Sequence, residues 1–447
     1  MIAPARVAAY DALTAVAAAT RDLPDALSHT RQQLADERDR ALAAELVIGT
    51  LRWQAQLDYL IAAVSGRALA RIDPEVLQIL RLGAYQLVHL TRVPAAAAVN
   101  DAVALTRRAG KSSASSFVNA VLRKLSQTRP LPLPDRTAAL EYLAVSLSHP
   151  KWLASRWLSR YGFQQAEAWE TFNNAAAPLT LRVNTLKTTA GTLVEVLQKE
   201  GVTVSAARYA PDGLVVTSGN PLRTSLAGSG LFFVQDEASQ LVSLLGRSGP
   251  GERILDACAS PGGKTTAMAA QREDRGLIVA ADVRPARVRL LQDTVRASGT
   301  QSVRLVQADL ERPLPFGPVF DVVFVDAPCS GLGTIRRDPD IRWKRREADL
   351  GTLAAAQVKM LIHAAGVVGR GGRLIYATCS SEPEENDEVV AEFLRVCPSF
   401  AGVNLTQQPA LAHPALKTVL DEAGRLRTLP PVHQLEAFFG AVLRREG

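Results

Sequence analysis

The amino-acid sequence predicts a doubly wound, mostly parallel α/β domain preceded by an all-α domain and a small α+β module. Three observations carry that expectation. Up to about residue 128, apolar residues recur only at helical spacing; three prolines then fall within "RPLPLP"; and from about residue 231, short β-branched runs alternate with helix-like segments. At 447 residues, 47% of them apolar, the chain is long enough to bury more than one core.

The opening stretch, "MIAPARVAAYDALTAVAAATRDLPD", is alanine-rich, but Arg6 and Asp11 interrupt it, so it reads as an amphipathic helix and not as a signal peptide. No segment approaches the roughly 18–20 uncharged apolar residues of a membrane span, and a cytoplasmic protein is expected. Four widely separated cysteines form no Cys-x-x-Cys metal pattern and no disulfide framework, so no metal is expected and the thiols should be free. A net charge of +7 and a pI near 9.4 are compatible with an anionic partner without demanding one.

Helical segments over residues 1–128 include "ALAAELVIGTLRWQAQLDYLIAAVS" and "ASSFVNAVLRKLSQ". Charges balance over residues 1–100, whereas Arg107, Arg108, Lys111, Arg123, Lys124 and Arg129 then face a single acid, Asp101. A solvated helix face and a phosphate-contacting edge both account for this cluster. Residues 129–145 read as a proline-rich linker and residues 146–230 as the α+β module, with "LTLRVNT" a strand and "AGTLVEVLQKEG" a helix. Residues 231–447 then supply strand candidates "RILDACA", "GLIVAADV", "VRLVQADL", "DVVFVDAPC" and "RLIYATCS". All are apolar enough to be covered on both faces, as in a Rossmann-like domain.

The first of these strands runs into Cys258, Ala259, Ser260, Pro261, Gly262, Gly263 and Lys264, a glycine turn opening a helix, where backbone N–H groups can hold an anion. The spacing matches neither the dinucleotide fingerprint nor a Walker loop. Asp282 ends the second strand nineteen residues after Gly263 and suits ribose hydroxyls; Asp309, at the end of the third, could reach an adenine amino group or cap a helix. Together they point to an adenosyl ligand, and S-adenosyl-L-methionine fits because its amino-acid tail can occupy the loop.

With strand order 3-2-1-4-5, the fourth and fifth strands end in "DAPCS" and "TCS", so Cys329 and Cys379 could face one bound group. A thiolate adding at C6 of cytosine would make C5 able to attack a sulfonium methyl group, and Asp326 near N3 would offset ring charge. The residues alone do not rank the two thiols.

"DACASPGGKT", "DAPCSGLGTIRRDPDIRW" and "YATCSSEPEEN" resemble the motifs of the RNA cytosine-C5 methyltransferase family, the NOL1/NOP2/Sun group. "FFVQDEASQLV" and "RVNTLK" are similar to its flanking patterns, and "ERDRALAAELVIGTLRW" with "VNAVLRKL" resembles the NusB-like RNA-binding domain of the bacterial Sun/RsmB branch. The resemblance implies Cys379 as nucleophile and Cys329 as the residue that promotes product release. It implies an S-adenosyl-L-methionine site made of residues 258–264 with Asp282, Asp309 and Asp326, Asp326 having base contact as a competing duty. It also implies 16S ribosomal RNA, or a small-subunit assembly intermediate, as partner; a monomer is expected, though the resemblance does not fix the oligomeric state. Arg336 and Arg337, with Arg342, Lys344, Arg345 and Arg346 after them, are expected either at RNA phosphates or on a solvated helix start. The end, "PPVHQLEAFFGAVLRR", departs from the family by lacking a glycine- and aspartate-bearing lead into its aromatic pair.

Three other readings compete. An amine methyltransferase would need Asn/Asp-Pro-Pro-Tyr/Phe where Asp326-Ala327-Pro328-Cys329 stands. A silent ribosome-assembly factor that only binds RNA through its helical domain stays open, although retention of both cysteines argues against silence. A C5 methyltransferase acting on transfer RNA would share every catalytic motif.

Overall fold

The computed structural model describes residues 2–446, and no helix among them is long and apolar enough to cross a membrane. The chain forms two compact units, one of Met1–Ala175 with Ile335–Arg345, the other of Ala176–Thr334 with Arg346–Gly447.

The first unit is helical. Helices such as Glu37–Arg52, Pro74–His89 and Ser115–Gln127 bury Leu46, Val47, Ile79, Leu80, Val118 and Leu122 in one core, at the spacing of an amphipathic helix. The segment expected to link domains is not free: Leu131 and Leu133 pack against this core, and Ser146 Oγ donates to Pro134 O at 2.6 Å. The helix Lys151–Asn174, which breaks at Gly162 (φ 75°), belongs to this unit too. The reason is its apolar side: Trp157 and Trp169 are fully buried and stack with ring centroids 4.8 Å apart.

The second unit holds two sheets. Strands β1 (Thr180–Val183), β2 (Thr203–Ala206), β3 (Gly213–Ser218) and β4 (Phe232–Val234) form an antiparallel sheet in the order β2-β3-β1-β4. It is covered by the helix Ala190–Lys199, through Leu193 and Leu197. The larger sheet contains β5 (Arg253–Asp256), β6 (Leu277–Asp282), β7 (Val303–Gln307), β8 (Phe320–Asp326) and β9 (Val368–Thr378), parallel in the order β7-β6-β5-β8-β9. That is the expected 3-2-1-4-5 arrangement. Beyond β9 the sheet turns antiparallel, with β10 (Phe400–Val403), β11 (Leu426–Thr428) and β12 (Phe438–Arg445), and β12 lies between β9 and β10.

Alternation along the strands makes two cores. Ile254, Ile278, Val322, Phe324 and Ile375 face the helices carrying Leu241, Met268 and Leu291; Leu255, Val279, Val323, Leu374 and Tyr376 face those carrying Leu361 and Phe393. Helices on both faces of a mostly parallel sheet make this the Rossmann-like domain that the sequence predicts. Because the five parallel strands all end on one side, Asp256, Asp282 and Asp326 share one rim.

Candidate active site

Five strand ends build the site. β5 ends at Asp256, and the turn after it is tied to β6 by Ala259 N donating to Ala281 O and closed by Gly262 N donating to Ala259 O. Gly262 has φ 103°, and a Cβ there would stand 2.9 Å from Leu291 Cδ1, so glycine is needed both for conformation and for space. The helix Gly263–Gln271 starts directly after. Its first turn is fixed from the neighbouring sheet: Arg182 on β1 is buried, donates to Gln235 Oε1 at 2.7 Å and Thr266 Oγ1 at 2.8 Å, and lies over the Phe233 ring. Burial lowers this guanidinium to about 10. The patterns "RVNT" and "FFVQDE" therefore hold the glycine turn in place, a role that the sequence reading did not assign.

The acids are arranged unequally. Asp282 is buried, and its Oδ2 accepts from Ser260 N at 3.2 Å, with Arg287 Nη1 at 4.0 Å. Asp309 stands two residues past the end of β7, where its Oδ1 accepts from Glu311 N at 2.9 Å and its Oδ2 lies 3.5 Å from Arg312 Nε. Asp326 Oδ2 accepts from Lys264 Nζ at 2.6 Å. Burial acts to lower Lys264, but the charge and hydrogen bond of Asp326, then the charge of Cys379, outweigh it and hold the ammonium above the usual lysine range. Asp256 is fully buried; burial pushes it up to about 7 against a hydrogen bond from Thr265 Oγ1 at 2.6 Å. Burial likewise pushes the Cys258 thiol up, and its side chain packs in the core, as does Cys397.

In the β8–β9 register Asp326 pairs with Ala377. Cys329 and Cys379, three and two residues further on, therefore meet: their sulfurs are 3.3 Å apart. The hydrogen bond with Cys379 is the first cause pushing Cys329 well above the ordinary thiol range, followed by burial and by the charges of Cys379 and Glu385. The loop after Cys329 is stitched to its partner strand, because Gly333 N donates to Cys379 O at 2.9 Å and Gly333 O accepts from Ala437 N at 3.0 Å.

These residues fit an adenosyl sulfonium cofactor. A carboxylate rim at the ends of three adjacent strands meets hydroxyl, amine and ammonium donors, and the Gly262–Gly263 turn has no side chain to obstruct close approach. A separate cleft of about 500 Å³, lined by Asp212, Arg247, Pro250, Arg272 and His413 among others, lies at the amino end of β5, away from both thiols.

Family models match three stretches of the chain: "16S rRNA methyltransferase RsmB/F" over residues 244–444, "NusB family" over 3–127, and a ferredoxin-like domain of RsmF/B-like methyltransferases over 149–223. A probable ribosomal RNA small subunit methyltransferase B of Bacillus subtilis is 33% identical over 92% of this chain and 92% of its own. The chain belongs to the RsmB/F methyltransferase family. A second relative in that family, ribosomal RNA small subunit methyltransferase B of Pseudomonas putida, is 34% identical over 94% of this chain and 95% of its own. Among solved structures, PH0851 superposes with a TM-score of 0.83 at 26% identity, covering 100% of this chain and 99% of that one. The cofactor of this RsmB/F methyltransferase is S-adenosyl-L-methionine.

The basic residues expected at RNA separate into groups. Arg107 and Arg123 are exposed. Arg108 pairs with Asp11 (2.8 Å), Lys111 with Asp73 (2.9 Å) and Glu75 (3.5 Å), and Lys124 donates to Val64 O. Arg336 lies over the Phe172 ring at 4.2 Å, and Arg337 is half-buried beside it. Arg342 is a correction to the phosphate-contacting group: it is fully buried in the helical unit, donating to Ser148 O at 2.8 Å and Asn174 Oδ1 at 3.0 Å, so no phosphate reaches it.

Proposed function

We propose that this chain methylates C5 of a cytosine in 16S ribosomal RNA through a transient bond from Cys379 Sγ to C6 of the base. The observation that carries the reading is the 3.3 Å approach of two thiols beside the Lys264–Asp326 pair, at the strand ends next to the glycine turn. A family of small-subunit RNA methyltransferases and a NusB match over the helical region support the substrate.

The methyl donor supplies an electrophilic CH3 on a sulfonium and leaves as a neutral thioether. Residues 258–264 with Asp282, Asp309 and Asp326 would hold it. Cys379 is the better nucleophile of the two because the cation of the site, Lys264, faces it, whereas Cys329 is held as S–H. Cys379 adds to C6, and electron density moves to C5, which takes the methyl group. Water takes the C5 proton, which re-forms the C5–C6 double bond and expels the Cys379 thiolate; Cys329, within hydrogen-bond reach, passes its own proton to the departing sulfur and regains one from solvent. Asp326 with its lysine offsets charge on the ring.

Arg107, Arg108, Lys111, Arg123 and Lys124, with Arg336 and Arg337, are the proposed RNA-contacting residues, and the exposed Arg107 and Arg123 are the first to substitute. Bisulfite mapping of small-subunit RNA with and without the protein tests the proposal. A single protein-dependent 5-methylcytosine is expected; an unchanged map refutes the substrate, and a methyl group on another ring atom refutes the chemistry.

A further inference from the structure

Between the two cysteine loops lies one carboxylate that the chemistry above does not use. Glu385, in the short helix Pro383–Glu385 after β9, is fully buried. Its Oε1 accepts from Ser330 N at 2.8 Å and from Gln357 Nε2 at 3.0 Å; its Oε2 accepts from Ser330 Oγ and from Ser380 Oγ, each at 2.5 Å. Ser330 and Ser380 are the residues immediately after Cys329 and Cys379. The two hydroxyls also approach each other at 3.2 Å, so the cysteine loops meet through their sulfurs, through these hydroxyls and through the shared acid.

The surroundings of Glu385 are themselves fixed. Gln357 Nε2 also donates to Pro328 O, and Tyr376 OH donates to Glu385 O, with Gln357 Oε1 3.0 Å away. Next along the chain, Asn386 donates to Ser380 O at 3.0 Å and accepts from Thr378 Oγ1 at 2.6 Å, bracketing Cys379 from both sides. A buried carboxylate is costly unless its lone pairs are filled, and four donors from three residues fill them here. The arrangement is therefore directional: either loop can shift only by breaking a bond to the same charged group.

We infer that Glu385 is the positioning residue of the two-thiol centre, a single acid that sets the spacing of Cys329 and Cys379 by holding the serine after each. It touches neither base nor donor; it acts through the loops. This inference rests on the proposed use of both cysteines in catalysis, but its spacing claim is measurable without RNA.

The test uses the full-length protein and two readouts. The first is coupling of Cys329 to Cys379 by diamide, in which two thiols lose two protons and two electrons to the N=N bond, which becomes a hydrazine; peptide mass mapping identifies the pair. The second is kcat and KM for methyl transfer. Glu385→Ala is expected to slow coupling roughly tenfold and to lower kcat by about 100-fold, since a displacement near 1 Å at a reacting group has that effect, while KM for the methyl donor stays within about twofold. Glu385→Gln, which keeps the shape, is expected to restore coupling to within about threefold of the unsubstituted protein. Wild-type coupling and kcat in Glu385→Ala would overturn the inference. Should that variant lose donor binding altogether, Ser380→Ala, which leaves the acid three of its four donors, decides: unchanged coupling and kcat there overturn it equally. Absence of any RNA adduct with normal diamide behaviour would instead refute the catalytic reading and leave the spacing role standing.

Discussion

Lys264 Nζ donates to Asp326 Oδ2 at 2.6 Å, joining the helix that follows the glycine turn to the end of β8. The bond places the one lysine of the turn between the cofactor residues and the thiols, and its ammonium also lies 5.9 Å from the Phe438 ring. Lys264→Met keeps the aliphatic stem and removes the charge. Expected is a loss of about 100-fold in the rate of cross-linking to RNA containing 5-fluorocytosine, measured on denaturing gels with the methyl donor present.

The two cysteines should fail differently. Cys379→Ala is expected to abolish methyl transfer and form no adduct. Cys329→Ala is expected to accumulate an RNA–protein adduct stable to denaturation, because the departing sulfur no longer has its neighbour at 3.3 Å to protonate it. Residual turnover in Cys379→Ala would reverse the assignment of the two thiols.

Gly333 has no room for a side chain: a Cβ would stand 1.9 Å from Ala437 O and 2.8 Å from Cys379 O. Both are backbone atoms of paired segments and cannot turn aside. Gly333→Ala should cost about 3 kcal/mol or more, read as a lower midpoint in thermal or urea unfolding, together with slowed release of the RNA adduct.

Asp256 gives the protein a pH dependence of unusual sign. Its folded value, about 7, lies above the ordinary 3.8 because of burial, so the native state binds more protons than the unfolded chain between those limits. Stability from this group therefore falls as pH rises from about 4 to 7 and is level above that, with a ceiling near 4 kcal/mol. Asp256→Asn should flatten that part of the curve, in urea titrations from pH 4 to 8. A difference between the two proteins that grows on acidification would contradict the assignment.

The segment Ile335–Arg345 leaves the Cys329 loop and folds with the helical unit, where Trp343 Nε1 donates to Leu51 O at 2.6 Å and Arg342 is fully buried. Trp343→Phe should destabilise that unit by about 1 kcal/mol, the worth of one hydrogen bond. Deleting residues 1–128 should do more than weaken RNA binding: it removes the acceptor at Leu51, so turnover with a short RNA should also fall while affinity for the methyl donor is kept. Equal loss of donor affinity would count against this.

Much of this was legible in the linear chain. Strand alternation, the glycine turn, the acids near the strand ends and both cysteine motifs are local patterns, and buried parallel strands need continuous apolar runs that are visible as such. The order 3-2-1-4-5 is not written in those runs: right-handed connections fix the face each crossover covers, and the strand pairing of the folded sheet decides the order. What stayed hidden is whatever depends on partners far apart in sequence. Nothing in "SSEPEEN" says that Glu385 would bind the serines after two cysteines fifty residues apart, nor does "RRDPDIRW" reveal that Arg342 would be buried in another unit while Arg336 rests on a phenylalanine. A charged side chain looks the same in sequence whether water or four fixed donors surround it; only the folded chain supplies the donors, and their geometry decides which charges face RNA and which hold the site together.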